Sequence, residues 1–420
     1  MRLVRLVPVP ASSKCLTIGV GALSLPYTAR LSGLAGALLM LFLMAVVNTY
    51  TLHILSDLSV ITGCTSMETL AEHYFGRRMR YMVQGCMLVF CFGCLVAYML
   101  AVGDILAPLA NAVFHVRHPH GPAFYMTVFT LAIMLPLSMV RNPDSLRFAS
   151  VVAVVAVGFL ATALAVRSAE RAEEVRAFSF SGHYFTSFQG YSLAFPIIVF
   201  SFSCQAQFFS IQEGCGADSM KFVIETSMSI IFVVYGTIMC FAYVSCLENT
   251  SENVLTNFPF IRPVDGSFDF YMAFTHLAYA ITLILGFPLN VFPCRHTVEM
   301  LFQAADVESG ADPRQPVPRL VSMVISFCIV MAALLLAVVT PGIDVILGLL
   351  GASAASLLSF IVPASCRVAQ NIRDRGSGGL FDSKQILPVL TIILGVGVAV
   401  WSSYVYLRDK VLHKASETEF

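Results

Sequence analysis

Ile18-Gly19-Val20-Gly21-Ala22-Leu23-Ser24-Leu25-Pro26-Tyr27 lies inside the first apolar stretch of the chain, and it reads as a membrane helix built to break. The two glycines give up backbone entropy in a helix, while Pro26 donates no N–H and clashes with the carbonyl four residues earlier. In lipid a freed backbone amide is expensive, so such a break survives only where it is buried in protein or lines a cavity. A broken span near the bilayer midplane points to a binding site in secondary transporters. Close helix packing through Gly, Ala and Ser is the other reading of the same residues.

Composition places that stretch in a membrane protein. Of 420 residues, 57% are hydrophobic and 12% charged, against about 25% charged in an ordinary soluble domain. The formal net charge of +0 gives no reason to expect nucleic acid as a partner. No polar stretch is long enough to fold a separate soluble core, so residues 1–420 read as a single domain. Apolar stretches near the length of a bilayer-spanning helix fall at Leu16–Leu31, Leu34–Ser56, Tyr81–Leu106, Ala123–Val140, Phe148–Val166, Tyr191–Ile211, Phe222–Cys246, Phe270–Phe292, Val317–Val339, Ile343–Val362 and Ile386–Leu407. They are spans one to eleven below. Their continuous apolar character excludes a porin-like barrel, whose strands alternate, and predicts an all-α polytopic fold of about 11 transmembrane helices.

Basic residues orient the bundle. Arg2, Arg5 and Lys14, then Arg77, Arg78 and Arg80, then Arg367, Arg373 and Arg375 fall on one side, which predicts a cytosolic N-terminus and an outside or lumenal C-terminus. Arg167, Arg171 and Arg176 fall on the other side, interspersed with Glu170, Glu173 and Glu174. The sequon Asn249-Thr250-Ser251 falls in an outer loop under this topology, making Asn249 a glycosylation candidate. No cleavable leader is evident, so span one is expected to act as the targeting signal. Thr65–Phe75 has amphipathic spacing after a capping-box-like Ser66 to Glu68 region and predicts a short helix on the inner membrane surface.

Span six carries the second informative stretch. Phe200-Ser201-Phe202-Ser203-Cys204-Gln205-Ala206-Gln207 puts four hydrogen-bonding side chains into a membrane helix, with Pro196 upstream. Polar side chains there either join helices or meet a substrate. Spans one and six each begin a set of five, and corresponding irregular segments in two halves mark an inverted repeat with a shared midplane site. The 12 cysteines lie mostly within spans and read as packing residues; their spacing predicts neither a metal site nor a structural disulfide, and no cofactor is called for.

Four patches together resemble the amino acid/auxin permease family, most closely its protozoan members: GVGALSLPY in span one, FSFSCQAQFF in span six, Phe287–Arg295 (FPLNVFPCR) in span eight and Leu347–Pro363 in span ten. The resemblance implies a five-plus-five inverted repeat of the leucine-transporter type, about 15–166 and 191–365, with an extra helix at about 386–407. It also implies carriage of amino acids or close relatives across a membrane, with no enzymatic activity.

A free amino acid carries a carboxylate and an ammonium, and broken helix ends offer complementary partial charges of about half an elementary charge. The carboxylate is assigned to amides near Gly19, Gly21 and Ala22, and the ammonium to carbonyls around Ser201 and Ser203. Ser24, Ser203, Gln205 and Tyr98 are the side chains expected to shape the pocket. Sodium-coupled relatives carry an asparagine before the glycine pair and a threonine in span eight. Cys15 and Ile284–Gly286 stand at the best-matching positions here and supply no equivalent hard oxygens, which predicts sodium independence. Protons are the candidate coupling ion, with Asp104 near the outer end of span three as the titratable group; an interfacial capping contact is its other reading. With no charge near the midplane, neutral amino acids are the expected substrates, in the plasma membrane or an acidic organelle membrane. An amino-acid sensor of the same fold is the alternative; a channel would need a polar pore lining, which is not seen.

Overall fold

The computed structural model describes residues 19–114, 121–139, 147–170, 186–261, 268–308, 318–375 and 383–408. Cys15, the N-terminal basic residues, and Arg171 and Arg176 lie outside them. Ten helices are long and apolar enough to cross a membrane, and span one adds a helix described from Gly21 to Ser32. The approximate count of eleven therefore agrees with the architecture, and the all-helical fold is the one expected. Side chains such as Leu335, Val339, Phe222 and Ile393 are exposed on the spans' outer faces, as lipid-facing residues of a bundle are.

Several spans run further than their apolar stretch. Span three is continuous over Arg77–Phe114, and span eight over Phe270–Glu308 despite Pro288 and Pro293. Both carry polar extensions beyond the lipid-length segment, which hydropathy cannot register. Pro26 sits inside the helix Gly21–Ser32 instead of ending it. The described helix starts at Gly21, with Gly19 and Val20 outside it.

The short helix forms over Met67–Phe75 with a complete capping box, closed by Thr69 and not by Glu68. Ser66 Oγ accepts the Thr69 N–H at 3.2 Å, and Thr69 Oγ1 accepts the Ser66 N–H at 3.3 Å. The helix is held by Arg80–Glu72 at 2.9 Å, by Tyr74 donating to Gln370 at 2.7 Å, and by Arg373 donating to the His73 carbonyl at 3.1 Å. Those bonds fasten it to the starts and ends of spans three and ten.

Span one sits at the centre, packed on the first half of span six and on spans two and seven. Its residues from Ala22 to Ala29 are all buried. Span three packs most extensively on span eight, and span ten on spans three, six and eleven. Span ten departs from α geometry twice, with π turns at Gly351–Ala355 and Leu357–Ile361. Such turns carry one residue more per hydrogen-bonded ring and cluster at functional sites. At the first of them Gly351 lies directly against the Pro196 carbonyl of span six, an approach only a residue without Cβ permits.

Candidate functional site

Span six is broken in its middle. One helix ends at Phe202 and the next starts at Gln205, with Ser203 extended at φ −71°, ψ 102° and Cys204 at φ −122°, ψ 4°. The C-terminal end of the first half, carrying the negative end of its dipole, therefore stops inside the protein. Opposite it, the helix of span one begins at Gly21 with its positive end. The two ends touch: a Cβ on Gly21 would stand 2.5 Å from Ser201 Oγ and 2.8 Å from Ser201 Cα.

Between them lies a pocket of about 40 Å³, lined on this side by Gly19, Gly21, Ser201 and Ser203 and closed by Tyr98 and Asn290. That is room for about three or four water molecules at about 10–15 Å³ of occupied volume each. Two tyrosines hold the breaks in place. Tyr279 donates to the Gly19 carbonyl at 3.0 Å, and Tyr235 donates to the Ser201 carbonyl at 3.2 Å. Ser201 Oγ and Ser203 Oγ bond back to the Ile197 and Val199 carbonyls, each at 2.8 Å. The Ala22 amide turns back to the Gly19 carbonyl at 3.4 Å and the Leu23 amide to Val20 at 3.1 Å, leaving the amides of Gly19, Val20 and Gly21 with no acceptor among the described residues.

A larger cavity of about 490 Å³ opens beside the short helix, with Glu68, Arg80, Gln84, Gln207 and His296 on its walls. Gln207 lines both spaces, so the pocket lies at the end of this vestibule. At the opposite end of the bundle the way is covered. Arg30 at the end of span one donates to the Thr250 carbonyl at 3.0 Å, and His276 of span eight has Nε2 3.2 Å from the Leu255 carbonyl. Both contacts pin the loop between spans seven and eight over span one.

Of the residues singled out from sequence, Gly19, Gly21, Ser201, Ser203 and Tyr98 come together around the pocket. Ala22 and Ser24 are buried within the helix of span one, and the Ser24 hydroxyl has no hydrogen-bond partner among the described residues. Gln205 lines the vestibule instead, with its carboxamide bonded to neighbouring spans. Asp104 lies on span three outside the pocket, half-buried and facing the Asn253 side chain of the covering loop. Asn249 is exposed at the end of a turn in that same loop. Sequence reading missed Asn290, Tyr235 and Tyr279, and flagged Gln207 only as one of four polar side chains in span six. Asn290 stands out as a lone amide in the apolar run Phe287–Phe292 and could have been found by that signal; the tyrosines gave none.

The chain is 24% identical over 393 residues to a Xenopus laevis protein named as a putative sodium-coupled neutral amino acid transporter 10, covering 91% of this chain and 35% of that one. It is 24% identical to the Schizosaccharomyces pombe vacuolar amino acid transporter 5, covering 83% and 80% of the two chains, and 25% identical to the Arabidopsis thaliana amino acid transporter AVT6B, covering 94% and 88%. The chain thus spans about a third of the length of the first curated relatives it matches. Among solved structures, an Eremococcus coleocola manganese transporter aligns at a TM-score of 0.49 and 10% identity over 95% of each chain. The profile of the family described as transmembrane amino acid transporter protein matches residues 12–408, and the chain belongs to that family.

Proposed function

We propose that this protein carries amino acids across a membrane by alternating access, binding them between the broken ends of spans one and six. The observation that carries this reading is the pocket in which the positive end of one helix meets the negative end of another, beside a vestibule that shares Gln207 with it. A zwitterion matches that pair of ends. Its carboxylate goes to the amides of Gly19, Val20 and Gly21, and its ammonium to the carbonyl end near Ser201 and Ser203. The pocket must widen to take a substrate, and the larger cavity beside it lies towards the short helix. With a cytosolic N-terminus, that side is the cytosol. The pairing of the two breaks supports two inverted repeats, about 15–166 and 191–365, followed by an extra helix at about 386–407. The vacuolar relatives favour an acidic organelle membrane over the plasma membrane.

Substrates are neutral amino acids, since among the described residues no charged side chain lines the pocket. The cycle does not use sodium: Ile284, Leu285 and Gly286 offer no side-chain oxygen in span eight. Asp104, facing the covering loop, is the group through which protons act on that cycle. Purified full-length protein in proteoliposomes should show saturable counterflow for at least one member of an amino-acid panel. No counterflow across the whole panel, from inserted and folded protein, would favour a sensor of the same fold. Replacing sodium by choline at fixed pH and membrane potential should leave initial uptake unchanged, whereas a fall to background would establish sodium coupling. An inward proton gradient should raise uptake, and Asp104→Asn should flatten that response. Uptake that still follows the gradient in Asp104→Asn would move the coupling elsewhere.

A further inference from the structure

The break in span six leaves a backbone amide with no helical partner, and a side chain takes it. The Cys204 N–H is accepted by Gln205 Oε1 at 3.0 Å. The same oxygen accepts from Ser359 Oγ of span ten at 2.8 Å, while Gln205 Nε2 donates to Asn48 Oδ1 of span two at 2.7 Å. Asn48 is fixed in turn by donating from Nδ2 to the Met44 carbonyl at 3.2 Å. Ser359 Oγ also lies 3.1 Å from Ser203 Oγ, at the edge of the pocket. Asn48 and Ser359 are fully buried and Gln205 is 1% exposed. Three polar side chains buried to that degree are tolerated only because they satisfy one another.

The placement of this network sets what it can do. Ser203 faces the pocket and Gln205 faces the vestibule, so the network forms the partition between them. We propose that Gln205 is a positioning residue that, oriented by Asn48 and Ser359, caps the Cys204 amide and so holds Ser203–Cys204 out of the helix. With the cap in place, the carbonyl end of the first half of span six stays turned to the pocket. Without it, the amide faces the vestibule unpartnered, and the broken geometry loses the bond that favours it over a continuous helix. Span ten enters the same arrangement through Ser359, which sits in its second π turn. Gln205 thus acts on the ligand site through the backbone and without touching the ligand.

The functional consequence rests on the carrier reading, whereas the cap itself does not, so two measurements separate them. Hydrogen exchange by mass spectrometry on the full chain in liposomes follows the amides around residues 203–206. Gln205→Leu should exchange there at least about tenfold faster than wild type, Ser359→Ala about fivefold faster, the factor one hydrogen bond is worth, and Gln205→Glu, which keeps an acceptor, close to wild type. Initial uptake of an equimolar mixture of tritiated amino acids gives the second readout. Gln205→Leu should raise the apparent KM about tenfold or more, with Gln205→Glu restoring most of it. Unchanged exchange in both Gln205→Leu and Ser359→Ala overturns the proposal. So does equal loss of uptake in the Leu and Glu variants, which is what a direct ligand contact would give. If wild type shows no uptake while Gln205→Leu exchanges faster, the cap stands and the carrier reading fails.

Discussion

Gly21→Val is expected to reduce amino-acid uptake at least about fivefold while leaving the amount of inserted protein near wild type. The first atom added at Gly21 meets Ser201 at both Oγ and Cα. A hydroxyl could rotate away, but a Cα cannot, and here it is fixed. Ser201 Oγ is tied to Ile197, and the Ser201 carbonyl is held by Tyr235. Overpacking of this kind costs about 1–3 kcal/mol, and each 1.4 kcal/mol is about a factor of ten in binding. The cost falls on the junction of the two helix ends, so it is felt where the ligand sits more than in the stability of the whole bundle. Gly158→Val is the matched control, because a Cβ there meets nothing within 4 Å. Equal uptake in the two variants, measured as initial rate per inserted protein, would remove the helix-end site from the transport path.

Gly351→Ala is expected to fail in the opposite way, by loss of folded protein. Its Cβ would be driven into the Pro196 carbonyl, a backbone atom within a buried helix. Relief requires spans six and ten to separate, opening a core made by Phe360, Leu358 and Ile197. The melting midpoint in detergent should drop by several degrees, and abundance several-fold, since cells remove partly unfolded chains. A melting curve and size-exclusion profile matching wild type would show that the two backbones do not approach as closely as described.

The break in span six was legible because Ser, Cys and Gln crowd a stretch that should otherwise be uniformly apolar. In span one the described helix starts at the glycine pair, while Pro26, read as a helix breaker, does not end it. That proline lies within the helix, where the neighbouring spans tolerate a missing bond. Of the pocket residues found in advance, Gly19, Gly21, Ser201 and Ser203 stood out as small or polar residues in an apolar stretch, and Tyr98 was the one aromatic among them. Gln205 shows what a linear reading lacks. Its chemistry suits a ligand contact, and only the positions of Asn48 and Ser359, 157 and 154 residues away, turn its carboxamide to other work. The extensions of spans three and eight escaped for a simpler reason: hydropathy measures lipid thickness, while helices run on as long as their backbone bonds do.

The two π turns of span ten give that helix a particular mechanical property. Each stores one residue beyond the α count, and an α-helix advances about 100° per residue. Passing the surplus residue from one turn to the next rotates the intervening side chains by about that angle while every amide keeps a partner, so the helix can change register without melting. Ser356 and Ser359 lie within or beside that stretch, and Ser359 is the side chain bonded to Gln205. A migrating bulge would swing its hydroxyl off the partition and back, a ratchet built into the covalent length of the chain.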